Sequence, residues 1–200
     1  LAGGGGAGLP HVAVVRAVGA ISMGGSPSLL GSSDGISEAE LGPVITRVTD
    51  DPSAKAVVLR IDSPGGSALA SDLLWDRLMK LRETKPLVVS VGGMAASGGY
   101  YMACTGTKIL AEPTSILGSI GVVGGKFTVG RTLASLGVNV ETVSAAAGPE
   151  AEARAAYMSP FTAWDDPTKA RMLASMTGIY DLFLSRVAKG RGIDVAKVSE

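Results

Sequence analysis

Apolar positions along this chain fall into two kinds of run. Residues 12–18 (VAVVRAV), 56–61 (AVVLRI) and 87–91 (LVVSV) are short, nearly uninterrupted and rich in β-branched side chains, as buried strands are. Residues 108–111 and 138–143 read as two further strands. Between these runs the period lengthens to that of a helix. Leu41, Val44, Ile45 and Val48 share one face of a helix over 37–50, opened by Ser37 with Glu40 three residues on, a capping-box pattern. Leu74, Leu78 and Leu81 line the inner face of a helix over 70–82, and a short helix is expected over 97–103. Val129, Leu133 and Leu136 mark another helix. Met172, Met176, Phe183 and Val187 form one stripe of the longest, 166–189. Residues 22–35 read as a Gly/Ser loop. This alternation predicts an α/β fold, a mostly parallel sheet with helices on both faces.

Two hundred residues suffice for one such domain, expected over 11–200, behind a Gly-rich linker or tail at 1–10 (LAGGGGAGLP). A linker at the start and a first residue other than Met suggest a fragment of a longer chain. Eighteen basic residues balance 18 acidic ones, so no electrostatic footprint for nucleic acid exists, and 4% aromatics argue against a stacking platform for single strands. Lone Cys104 excludes an intrachain disulfide and a cysteine-based zinc cage. Lone His11 excludes chemistry that needs two histidines. No run of about 18 apolar residues is present to span a bilayer.

The 28 glycines are far above the ~7% of average usage. They cluster in RIDSPGGS (60–67), MAASGGYY (94–101) and GSIGVVG (118–124), each after a predicted strand, at the sheet edge where open parallel sheets build their sites. Ser97 stands at a strand-to-helix junction between Ala96 and Gly98. Small neighbours permit a sharp turn that leaves a hydroxyl reachable, as in a nucleophile elbow, although the G-x-S-x-G spelling is absent. The alternative is that Ser97 is only an N-cap. The turn Pro64–Gly65–Gly66 can aim a backbone amide outward, and with the Gly98 amide it would supply two donors converging near Ser97, an oxyanion hole. A tight βα turn without a ligand is the competing possibility. Gly124–Gly125–Lys126–Phe127 lacks the spacing and the hydroxyl of a phosphate loop.

A serine hydroxyl needs a base. His11 precedes the first strand and would lie at the wrong edge of a parallel sheet. A lysine is the alternative if its amine is neutral. By position Lys126 is the least implausible candidate, yet the run after it leads away from the site.

Together these segments resemble the signal peptide peptidase A (protease IV) family, Ser-Lys peptidases with a crotonase/Clp-protease-like fold. The likeness in type and order covers roughly residues 12–190. It implies that Ser97 is the nucleophile, that Gly98 and Gly66 are the oxyanion donors, and that Ser119 in GSIG orients the lysine base. From its residues alone, Ser119 reads first as a turn or helix-capping serine. Short members of that family carry the lysine downstream. The corresponding stretch here, 144–160 (SAAAGPEAEARAAYMSP), has none, and Arg154 cannot accept a proton. In the long, tandem members the serine lies in the C-terminal half and the lysine in the N-terminal half. The chain resembles such a C-terminal half, and its general base is expected from an upstream domain or a neighbouring subunit.

The resemblance further implies that the substrates are apolar peptides such as signal-peptide remnants. It implies a membrane-associated protein with its catalytic domain on the extracytoplasmic, periplasmic side, and assembly into a homo-oligomer. The chemistry calls for no metal or organic cofactor. Small residues beside Ser97 (Ala95, Ala96, Gly99) would leave room for substrate side chains. Two other assignments compete: a catalytically inactive peptide-binding or scaffold homologue, and a crotonase-type acyl-CoA enzyme, in which Ser97 and Ser119 would be incidental.

Overall fold

The computed structural model of the chain describes residues 8–24 and 35–198. Elements are numbered in chain order. Strands β1 (His11–Val18), β4 (Ala54–Ser63), β5 (Leu87–Ala96) and β6 (Lys108–Leu110) lie side by side in the order β1-β4-β5-β6, all parallel. A fifth strand, β7 (Ile116–Gly118), pairs with the far end of β5, also in parallel. Two short strands, β2 (Ala20–Ser22) and β3 (Gly35–Ser37), form a separate parallel pair. They flank the expected loop, whose residues 25–34 lie outside the described ones. The expected linker falls largely outside them too.

Period-two alternation assigns the two sheet faces. Val15 and Ala17 stand beside Leu59 and Ile61, which stand beside Val89 and Val91, and all six are buried. Against them pack Leu41 and Ile45 of α1 (Glu38–Asp50) and Leu74, Leu78 and Leu81 of α2 (Ala68–Thr84). Burying each such leucine or isoleucine contributes ~1.5–3 kcal/mol, and this layer is the core. On the other face Val12, Val14 and Val18 of β1 are exposed, so these two helices cover one face only.

The expected capping box at Ser37 does not close. Ser37 is the residue before α1, but its Oγ is buried and has no partner. It belongs to β3, opposite Ser22, and that pairing fixes its backbone and turns its side chain inward. Ser67 does cap α2, its Oγ accepting from Ala70 N at 3.3 Å.

The longest helix, α6 (Asp166–Arg191), agrees with its apolar stripe, but only Phe183 and Val187 of the four stripe residues are fully buried. Phe183 stacks on Tyr101 of α3 (Gly98–Ala103) with ring centroids 4.3 Å apart. Arg186 donates from Nε to Asp72 Oδ1 at 2.8 Å and lies 4.3 Å from the centre of the Trp75 ring. Asp72 also accepts from the Tyr101 hydroxyl at 3.1 Å.

The chain forms two compact units. The first draws on Leu1–Gly121 and Asp181–Glu200 and contains the whole sheet; the second is Val122–Tyr180. The second holds α4 (Gly130–Ser135), α5 (Pro149–Ala155) and the first part of α6. Lys126 organises its middle, donating to the carbonyls of Ala156, Tyr157 and Ser159. Residues 138–143, expected as a strand, are not one. Among the described residues no strand offers them a ladder, and a β-branched run without a partner has no reason to stay extended.

Candidate active site

Strand β5 ends at Ala96, and helix α3 starts at Gly98. Ser97 makes the whole reversal with φ 51° and ψ −120°, a region that side-chain-bearing residues rarely enter and that costs ~1–3 kcal/mol. Its side chain caps nothing. The N-cap alternative for Ser97 therefore fails. Its Oγ makes no hydrogen bond among the described residues, and the residue is partly open to solvent.

Three neighbouring segments hold this turn. First, Ser97 N donates to Gly118 O at 2.9 Å, which ties the tip of β5 to the tip of β7. Ser119 comes immediately after, with φ 50°, exposed and with no helix behind it to cap. The two serines thus leave adjacent, paired strands (Ala96 opposite Gly118) in the same unusual backbone region.

Second, the turn after β4 packs directly beneath Ser97. Gly65 has φ 96°, and a Cβ there would stand 2.6 Å from Gly98 N and 2.8 Å from Ser97 Cβ. Gly66 has φ 154°, and a Cβ there would collide with the Ile21 backbone. Only glycine fits at either position. Ile21 N donates to Gly65 O and Ser67 N donates to Ile21 O, each at 2.8–2.9 Å, so the Gly66 N–H faces away from β2. Ser63 fastens the start of the same turn. Its Oγ donates to Gly19 O at 2.7 Å and accepts from Gly65 N at 3.1 Å.

Third, Gly98 and Gly99 begin α3 in buried positions, and a Cβ on Gly99 would stand 2.6 Å from Ser63 O. Ala95 and Ala96 are buried too. The expectation that small residues here leave space for a substrate is therefore corrected: their smallness lets α3 sit close on β4. The N–H groups of Gly66 and Gly98 have no acceptor among the described residues. The site thus brings together all four residues singled out from the sequence, Ser97, Gly98, Gly66 and Ser119. Strand β7 was missed, because Ile116 and Leu117 are too short an apolar signal to stand out.

Among the described residues of the first unit, no hydrogen bond joins a histidine or lysine side chain to them. His11 opens β1 at the opposite, N-terminal edge of the parallel sheet and lies 3.6 Å from Asp51. Lys55 donates to Pro52 O, Lys80 pairs with Asp76, and Lys85 donates to Val48 O and Asp51 O. Lys108 begins β6 at the same far edge as His11, and Lys189 faces the Trp75 ring at 5.5 Å. In the second unit, Lys126 Nζ is engaged by three carbonyls, with the Trp164 ring 5.4 Å away. Lys169 pairs with Asp166, and Arg154 with Glu150. No cluster of metal-ligating side chains occurs among the described residues. None of their helices is long and apolar enough to cross a membrane.

A strained serine at a strand-to-helix turn, beside two amides without an acceptor among the described residues, has the geometry that a serine-hydrolase site would use. Residues 79–200 match peptidase family S49, and the chain belongs to that family, whose fold is of the ClpP/crotonase-like kind. The chain is 40% identical over 194 residues to the chloroplastic serine protease SPPA of Arabidopsis thaliana, spanning 96% of this chain and 28% of that protein. It is 34% identical over 190 residues to Protease 4 of Haemophilus influenzae, with coverages of 94% and 29%. A shorter match, 48% identical over 95 residues, links it to Protease 4 of Salmonella typhi, covering 47% of this chain and 15% of that one. The chain thus spans less than a third of the length of each.

Proposed function

We propose that this chain is the nucleophile-bearing part of a serine peptidase of the Ser-Lys dyad type. The observation that carries the assignment is Ser97 itself: a hydroxyl on a strained turn, beside the N–H groups of Gly66 and Gly98, all three without a hydrogen-bond partner among the described residues. A neutral lysine amine removes the Ser97 proton as Oγ attacks the peptide carbonyl. The carbonyl oxygen gains the charge, and the Gly66 and Gly98 amides hold it. The ammonium returns the proton to the departing amine, and water then releases the acyl group from Ser97 by the same steps in reverse order. Ser119, at the end of the paired strand, orients the amine.

The lysine comes from outside these 200 residues, from an upstream domain or a neighbouring subunit. The ion pairs of Lys80 and Lys169 and the carbonyl contacts of Lys55, Lys85 and Lys126 support this. Extended apolar peptides, signal-peptide remnants among them, are the substrates, at a membrane and on its extracytoplasmic side. The exposed Ile116 and Leu117, just before the Ser119 turn, offer an apolar surface to such chains. A homo-oligomer would complete the site where a neighbour supplies the base.

Two substitutions in the full-length protein test this. Ser97→Ala abolishes peptide hydrolysis, whereas Lys126→Arg, which keeps the donors to the three carbonyls but cannot act as a base, leaves the rate within a few-fold. Activity surviving in Ser97→Ala would refute the nucleophile, and loss in a folded Lys126→Arg variant would place the base in this chain.

A further inference from the structure

Strand β5 changes partners along its length. Its first half pairs with β6 through Val88, Val89 and Ser90, and its last three residues pair with β7. Between the two halves its register against β4 slips. Ile61 stands opposite Val91, but Ser63 stands opposite Ala95, so Gly92, Gly93 and Met94 together face the single residue Asp62. This bulge interrupts the ladder just before the strand delivers Ser97. Bulges bend a strand and redirect the residues beyond the bend, and they leave backbone amides without a ladder partner.

Asp62 takes up those amides. Its Oδ2 accepts from Gly93 N at 3.2 Å and its Oδ1 from Met94 N at 3.1 Å. Gly92 lies so close beneath the carboxylate that a Cβ there would stand 2.7 Å from Oδ2. From the other side Ser115 Oγ donates to Gly92 O at 2.7 Å, three residues before the end of β7. The Asp62 carbonyl also accepts from Gly19 N at 2.9 Å, next to the strand that braces Gly66. One residue thus fastens the bend in β5 through its side chain and the β1–β2 corner through its backbone. Both lead into the turn where Ser97 and Gly66 meet.

We propose that Asp62 is a positioning residue for the Ser97 nucleophile: its carboxylate clamps the β5 bulge and thereby sets the height of Ser97 over the Gly65–Gly66 turn. Asp62 does not reach the reacting atoms; it acts through the backbone of residues 92–97. This rests on Ser97 being the nucleophile. A displacement of the order of 1 Å in a reacting group costs about 100-fold in rate, so a loosened clamp lowers turnover far more than binding.

The test uses the full-length protein with Asp62→Asn and Asp62→Ala, assayed for peptide hydrolysis, for the rate of labelling by a fluorophosphonate probe, and for thermal midpoint. Asn keeps one good acceptor for the two amides, and Ala keeps none. The expected result is graded: kcat falls about 10-fold in Asp62→Asn and about 100-fold in Asp62→Ala. In both, KM stays within about twofold, and the labelling rate falls in step with kcat. A purely structural role predicts instead that lost activity tracks the lowered midpoint and returns on cooling; that outcome overturns the proposal, as does unchanged kcat in a folded Asp62→Ala. Ser97→Ala serves as the control. If it still labels at the wild-type rate, the nucleophile assignment itself fails and the proposal goes with it, whereas normal labelling in the Asp62 variants alone removes only the clamp.

Discussion

The two units of this chain hold their apolar residues in opposite ways. In the first, leucines, isoleucines and valines of the parallel sheet and of α1 and α2 are almost wholly buried. In Val122–Tyr180 no hydrophobic residue is buried, and Val123, Phe127, Val143 and Met158 are 100%, 96%, 85% and 76% exposed. Hydrogen bonds and stacked rings organise the second unit instead: the Lys126 cage, Trp164 Nε1 donating to Tyr157 O, and the Tyr157–Trp164 pair at 5.6 Å. Apolar exposure on this scale is that of an open surface rather than of a folding core. The candidate nucleophile sits in the unit with its own core, which is where a strained backbone can be sustained.

Substitutions of equal size should separate the units. The largest effect is expected for Leu78→Ala, which opens a cavity under the sheet and costs about 2–5 kcal/mol by urea denaturation. An unaltered urea midpoint would show that this layer is not the core. Next comes Asp72→Ala, which strips two donors, Arg186 and the Tyr101 hydroxyl, of their acceptor; a loss of about 1–3 kcal/mol is expected in the same assay.

A third effect depends on pH. Burial pushes the Cys104 thiol from its ordinary 9.0 up to about 12, and burial together with the Asp72 charge raises the Tyr101 hydroxyl as well. The folded state therefore keeps protons that the unfolded chain sheds. Stability is fully present below pH 9 and falls as pH rises from 9 towards about 12. Urea midpoints across this range should decline, and less steeply in Cys104→Ala; a flat profile would contradict the burial of both groups. The smallest effect is expected for Phe127→Ala and Val143→Ala. Each should change the stability of the chain by no more than about 0.5 kcal/mol. A large loss would mean that these side chains serve an internal core after all.

The same contrast explains what the sequence disclosed. The strands at 12–18, 56–61 and 87–91 and the helices at 37–50 and 70–82 were legible because their apolar period matches a face that is buried within the chain. The run at 138–143 misled because apolar residues at an open surface carry the same signal as a strand. Ser97 and Gly98 were legible in a glycine-rich segment at a strand end, and Gly66 and Ser119 through the family resemblance; the structure joins Ser119 to Ser97 through β7, which is too short for periodicity to reveal, and Gly66 through the turn after β4. Asp62 passed unnoticed because one acidic residue within an apolar strand gives no hint of the three residues it faces. Ala95 and Gly99 looked like substrate room and proved to be packing.

The most direct measurement is the site of covalent modification. The full-length protein treated with a fluorophosphonate probe, digested and analysed by mass spectrometry should carry a single adduct, on Ser97, and none in the Ser97→Ala variant. An adduct on any other serine, or undiminished labelling of that variant, would contradict the account at its centre.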